Sequence, residues 1–145
     1  MKTVRNLSKI QANEIKFISS NTVWISFTDP LESDSIVENE ILENLNHLKL
    51  AVWNLQEAHV FNNELRLPPK SEEIENIVDF LLANSQSNII VNCFGGKGRS
   101  GAVAKFCYDK MNYFWTESCR EIAKPNLYIY NIMVNYFNLL NQCKL

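Results

Sequence analysis

One stretch of this sequence concentrates residues able to do nucleophilic chemistry: Val91-Asn92-Cys93-Phe94-Gly95-Gly96-Lys97-Gly98-Arg99-Ser100-Gly101. All four glycines of the 145-residue chain lie inside it. Glycine lets the backbone take positive φ or come close to a ligand, so this clustering marks a loop of special geometry. Successive N–H groups from Phe94 through Gly95, Gly96, Lys97 and Gly98 to Arg99 can converge on an anion. A helix opening at Arg99 adds its positive end. The same field favours sulfur as thiolate at Cys93, the form that attacks as a nucleophile. The planar fork of Arg99 can grip two oxygens of a tetrahedral phosphate, which a lysine cannot do. Ser100 can donate a hydrogen bond to the sulfur and ease its departure in a second step. Lys97 can contact a second phosphate or stand as an ordinary surface lysine.

Two other phosphate-loop signatures fit less well. A Walker A loop needs Gly-Lys followed by Ser or Thr, whereas Gly96-Lys97 is followed by Gly98. Gly96-x-Gly98-x-x-Gly101 has the spacing of a dinucleotide-binding loop. It sits late in the chain, with no following strand and no acidic ribose partner.

The elements that must position the loop are legible around it. Asn88-Ile89-Ile90-Val91-Asn92 reads as a central buried strand with both faces covered. A helix follows from about 99 to 113. Thr22 to Phe27, with β-branched and aromatic residues, reads as a strand that stops at the turn Thr28-Asp29-Pro30. Lys16-Phe17-Ile18 reads as another strand. Residues 36–48 put Val37, Ile41, Leu45 and Leu48 on one helical face. Leu48 to Trp53 reads as a strand, and Asn54 to Pro69 as a polar, irregular loop. Ser71-Glu72-Glu73 supplies a cap and two acids at a helix start, with Ile74, Ile77, Val78, Leu81 and Leu82 at helical spacing behind them. Ser118 and Glu121 have capping-box spacing. Pro125 then separates that short helix from a last one whose stripe is Ile129, Ile132, Met133, Tyr136, Phe137 and Leu140, a core face. This order of elements predicts one α/β domain spanning 1–145.

Composition excludes several function classes. The apolar fraction is 46% and the charged fraction 21%, as in globular proteins with a packed core. No apolar run approaches the ~20 residues a bilayer-crossing helix needs. Polar sequence follows Met1-Lys2-Thr3-Val4-Arg5-Asn6 where a secretory signal would be apolar. Cys93, Cys107, Cys119 and Cys143 form no Cys-x-x-Cys pair, so zinc and a disulfide framework are not expected. Cys107, Cys119 and Cys143 read as structural thiols in a reducing cytoplasm. Residues 1–90 carry 7 Lys/Arg and 13 Asp/Glu, residues 91–145 carry 7 and 3. The basic half suits a small anionic ligand, and no basic stripe suits nucleic acid.

Cys-x5-Arg-Ser, after an apolar strand and before a helix, resembles the phosphate loop of the cysteine-based protein tyrosine phosphatases, nearest the dual-specificity branch. Phe94-Gly95-Gly96-x-Gly98-Arg99-Ser100 is similar to the loop of kinase-associated phosphatase, and Gly96 to Arg99 to that of the phosphoinositide phosphatases. Looser similarity runs from Trp24-Ile25-Ser26 through Trp53 to Pro125-Asn126. The resemblance implies a mixed, mostly parallel sheet flanked by helices, with the loop at the carboxyl end of its strand. It implies a phosphatase that forms a cysteinyl-phosphate, with Cys93 as nucleophile, Arg99 and the loop amides on the equatorial oxygens, and Ser100 assisting sulfur. No metal or organic cofactor is implied. Partners would be a phosphorylated protein or a small phospho-substrate, with no membrane and no nucleic acid.

The sequence departs from the family pattern at two places. Asn92 stands where the family has a histidine. Trp53-Asn54-Leu55-Gln56-Glu57 matches the segment that carries the family's aspartic acid, which puts Asn54 in the acid's place. The chain's aspartates are Asp29, Asp34, Asp79 and Asp109, none of them in that loop. Glu57, His59 or Glu64 could serve from the same loop, or each could be a solvated side chain. Asp79 reads as a solvated helix residue, and nothing around His47 assigns it a role. Three readings stay open: a phosphatase, a phosphate-binding module without turnover, and a sulfur-transfer or arsenate-reducing protein.

Overall fold

The computed structural model describes residues 1–31 and 36–143. The chain runs β1 (Thr3–Leu7), α1 (Lys9–Glu14), β2 (Thr22–Thr28), a 3-10 turn (Glu40–Asn44), β3 (His47–Ala51), β4 (His59–Phe61) and β5 (Glu64–Arg66). It continues with α2 (Ser71–Ala83), β6 (Asn88–Asn92), α3 (Arg99–Lys110), β7 (Phe114–Trp115), α4 (Glu117–Ile122) and α5 (Leu127–Gln142). Among the described residues, five strands form one sheet in the order β3-β2-β6-β1-β7. Every ladder in it is parallel, so antiparallel pairing is confined to the β4–β5 hairpin.

The two-residue period of a strand sorts the core. Val23, Ile25 and Phe27 of β2 and Ile89 and Val91 of β6 face the large cluster with α2, α3 and α5. Trp24 and Ile90 face a smaller one with Leu7, Ala12, Ile18 and Leu42. β6 is therefore covered on both sides, as its apolar run implies. Because the strands are parallel, all their carboxyl ends meet at one edge. β6 lies between β1 and β2, where the chain crosses over it, and such a switch point is where open α/β sheets bind ligands.

Several expectations need correction. Lys16–Ile18 is not a strand: Phe17 is 91% exposed, and β1 occupies the place beside β6 through the pair Val4 and Ile89. The helix expected over 36–48 shrinks to the 3-10 turn, capped by Asn39 Oδ1 accepting from Ile41 N–H, and Leu48 belongs to β3. That strand ends at Ala51, short of Trp53. The irregular loop 54–69 contains the hairpin, whose turn residues Asn62 and Asn63 have φ of 50° and 63°. Two positive φ values make a type I′ turn, the kind that matches strand twist. α2 is capped one residue earlier than expected, at Lys70, whose N–H donates to Glu73 Oε1. Ser118 and Glu121 lie inside α4 and form no capping box, since the residue before the helix is Thr116. Asp79 is exposed but accepts a hydrogen bond from Tyr136 Oη at 2.8 Å. Asp34 lies outside the described residues.

Candidate active site

The loop after β6 is held from outside by its carbonyls. Phe94 O accepts from Lys9 N–H (3.1 Å), Lys97 O from Lys124 N–H (3.1 Å), and Gly98 O from Asn126 N–H (3.0 Å). Gly96 O accepts from Asn6 Nδ2 at 2.8 Å. In a trans peptide the carbonyl and the next N–H point opposite ways. Pinning these carbonyls outward therefore turns the amides of Gly95, Lys97, Gly98 and Arg99 inward. Among the described residues, no N–H from Phe94 to Arg99 has an acceptor within the protein. Gly96 alone of the four glycines has positive φ (71°), and a Cβ there would lie 2.4 Å from Ser8 N. Only glycine fits that turn against the end of β1.

Cys93 is 2% exposed and its Sγ lies 3.0 Å from Ser100 Oγ, itself fully buried. Arg99 is 4% exposed. Its Nη1 donates to Asp29 Oδ1 and to Val52 O, each at 2.7 Å. Buried Nε has no partner among the described residues, so Nε and Nη2 offer the opposite edge of the fork to two oxygens. Asp29, at the end of β2, thus orients the guanidinium. It is a site residue that the sequence reading passed over, because no local pattern joins positions 70 residues apart.

A hollow of about 330 Å³ opens over the loop, lined by Asp29, Trp53, Asn54, His59, Arg66, Phe94 and Arg99 among others. Phe94 is 57% exposed at its rim. Arg66, from β5, stacks its guanidinium on the Trp53 and Phe61 rings at 4.0 and 4.4 Å. Asn54 sits against Gly98 and accepts from Asn126 Nδ2 at 3.0 Å. The alternative acids divide. His59 lines this hollow, Glu57 lines a neighbouring one with Asn54, His59, Lys124 and Asn126, and exposed Glu64 lines neither. The Lys97 side chain is exposed and lines neither hollow, its carbonyl alone tying the loop down.

Below the loop, Asn92 takes part in a buried network. Its Oδ1 accepts from Trp24 Nε1 (2.8 Å) and Ser26 Oγ (2.7 Å). Indole can only donate, which fixes the amide's orientation. With its hydroxyl proton given to Asn92, Ser26 Oγ accepts from His47 Nε2 at 2.7 Å. Burial, helped by Lys49, pulls the His47 imidazole down to about 4, so it is neutral at pH 7. The Asn92 Nδ2 end is buried with no partner among the described residues. The four cysteines are free, and burial pushes the Cys107 thiol up. Among the described residues no group of three His, Cys, Asp or Glu is placed to hold a metal ion, and no helix is long and apolar enough to cross a membrane.

Compared by sequence, the chain matches no family model and no curated protein. Compared by structure, it is similar to human DUSP28, with a TM-score of 0.58 and 14% identity over 96% of this chain and 94% of that one. The fold is that of the dual-specificity phosphatases. A human tyrosine phosphatase-like serine/threonine/tyrosine-interacting protein has a TM-score of 0.53 at 11% identity, over 83% of this chain and 79% of that one. A mouse protein of dual specificity phosphatase type, complexed with zinc tungstate, has 0.50 at 16%, over 84% and 74%. The dual-specificity phosphatase fold that the Cys-x5-Arg-Ser loop implied is therefore borne out, at identities that speak to fold alone.

Proposed function

We propose that residues 1–145 are one catalytic domain that hydrolyses phosphate monoesters through a cysteinyl-phosphate on Cys93. The observation that carries this reading is the ring of amides without acceptors from Phe94 to Arg99, closed by the open edge of the Arg99 guanidinium and set around a buried cysteine. A tetrahedral dianion satisfies these donors, whereas no group among the described residues does. The tungstate bound by the mouse structural relative is an oxyanion of the same shape.

Two displacements make up the reaction. The Cys93 sulfur attacks phosphorus in line, the S–P bond forms, and the ester P–O bond breaks toward the mouth of the hollow. Asp29 holds Arg99 so that its free edge meets equatorial oxygens as their charge rises. Water then attacks phosphorus and the S–P bond breaks, with Ser100 Oγ donating to the departing sulfur across 3.0 Å. Asn54, beside the loop, has no proton to give to the leaving oxygen. Substrates whose leaving group needs little protonation, aryl phosphates first, suit this site best. A thiol nucleophile with three further free cysteines fits a reducing compartment such as the cytoplasm.

Asn54 also favours a second reading, capture of phosphorylated partners without turnover. Hydrolysis of p-nitrophenyl phosphate by the wild type and by Cys93→Ser, with tungstate binding measured by calorimetry, separates the two. Turnover lost in Cys93→Ser supports the enzyme. Tungstate binding without turnover in the wild type supports the binder. Equal turnover in both proteins removes Cys93 from the mechanism.

A further inference from the structure

Four carbonyls of the loop are captured from outside, and three of the captors are main-chain amides. The fourth is a side chain, Asn6 of β1, 1% exposed and 90 positions from the carbonyl it holds. Asn6 Oδ1 in turn accepts from Trp115 Nε1 of β7 at 2.7 Å. This bridge admits one orientation only. Indole nitrogen can only donate and a carbonyl can only accept, so the residue between them must present an acceptor to one side and a donor to the other. An aspartate carboxylate or a leucine cannot do both.

The captured carbonyl belongs to Gly96, the residue with φ of +71°. Turning the Gly96–Lys97 peptide over rotates ψ of Gly96 and φ of Lys97. Glycine at positive φ admits ψ values that a side chain would forbid, so the Gly96 end does not by itself hold the peptide in one facing. Turned over, it would aim a carbonyl oxygen, in place of the Lys97 N–H, at the bound anion. We propose that Asn6, oriented by Trp115, is a positioning residue that locks this peptide with the Lys97 N–H inside the oxyanion cradle. The inference rests on the oxyanion site proposed above and adds two residues to it, on strands remote from the loop in sequence. Asn6 touches neither substrate nor sulfur; it acts through one peptide plane.

The test compares wild type, Asn6→Asp and Trp115→Phe. Each is titrated with sodium tungstate by calorimetry and assayed for kcat and KM on p-nitrophenyl phosphate, with folding followed by thermal melting. Asn6→Asp keeps the acceptor for Trp115 and sets a second acceptor against Gly96 O. It is expected to weaken tungstate about 10-fold or more and to lower kcat more than it raises KM, since removing one oxyanion donor costs on the order of 10²–10³ in kcat. Trp115→Phe leaves Asn6 but frees its amide to rotate, and a smaller loss in the same sense is expected. A merely structural role would lower the melting temperature and leave the folded protein's tungstate affinity untouched; that result in Asn6→Asp overturns the proposal. Should Asn6→Asp fail to fold, wild-type affinity in Trp115→Phe overturns it instead. If the wild type itself binds no tungstate, the oxyanion site fails and this inference falls with it.

Discussion

Replacing Asn54 by aspartate tests the chemistry of the leaving group. The two side chains have nearly the same shape. One carboxylate oxygen can keep the bond from Asn126 Nδ2, now 3.0 Å long, while the other takes the place of Nδ2 beside Gly98. A positioned general acid is worth about 10²–10⁴ in rate, or about 2.7–5.4 kcal/mol at 1.36 kcal/mol per decade. Only the protonated acid contributes. For a carboxyl of ordinary pKa near 3.9, roughly a tenth is protonated at about pH 5, so the gain there shrinks to about 10–10³ and falls tenfold per pH unit above. The gain depends on the leaving group. A serine alkoxide needs the proton, whereas p-nitrophenolate does not. Initial rates on a phosphoserine peptide and on p-nitrophenyl phosphate, from about pH 4.5 to about pH 7, should therefore show a gain on the first, larger toward acid, and less than about a threefold change on the second. Unchanged peptide hydrolysis across that range, or an equal rise on both substrates, would refute the placement of Asn54 at the acid's position.

Three further outcomes follow from the geometry. Gly95→Ala should be neutral to within ~0.5 kcal/mol, because nothing lies within 4 Å of the added carbon. Gly96→Ala meets Ser8 N at 2.4 Å at a φ of +71° and should cost about 2–4 kcal/mol in urea unfolding; similar values for both would contradict the loop geometry. His47 is held near 4 rather than 6.5 in the folded state, so the unfolded chain binds more protons between those values and stability is lost on acidification through that window. The contribution is about 1–2 kcal/mol after allowing for partial exposure. Denaturant unfolding should show a shallower acid loss in His47→Phe than in the wild type, and identical slopes would exclude this role. Native labelling with iodoacetamide at about pH 8 should modify exposed Cys143 well before Cys107, which is fully buried with its thiol pushed up by that burial; equal rates would place Cys107 at the surface.

The loop, its strand and the helices α2, α3 and α5 were legible because their signals are local: a glycine cluster, an apolar run, a helical stripe. β1 gives little signal because Arg5 and Asn6 break its apolar run. Exposed Arg5 keeps the strand's alternation, but Asn6 puts a polar side chain at a buried position, where it holds the loop. The hairpin did carry a signal, Asn62-Asn63 between extended residues, since asparagine tolerates the left-handed backbone an I′ turn needs. Lys16–Ile18 misled in the opposite sense, its β-branched and aromatic character serving a surface segment. Asp29 and Asn6 could not be assigned from spacing at all. They reach Arg99 and Gly96 across 70 and 90 positions, and only the parallel sheet, which gathers strand ends at one edge, brings them there.

The place of β1 in the sheet also governs how the molecule assembles. Val4 pairs with Ile89, 85 positions downstream, and Thr3 with Phe114. During synthesis the first strand must wait, unpaired, until residues 89–92 have left the ribosome. Closing so long a loop is entropically costly, and such long-range parallel pairing is slow. The loop's anchors at Asn6 and Lys9 arrive with that late pairing, and those at Lys124 and Asn126 come from still later sequence. A nascent chain therefore carries Cys93 before the carbonyl anchors that turn the loop amides around it are in place, and the loop takes its shape only at the last stage of folding.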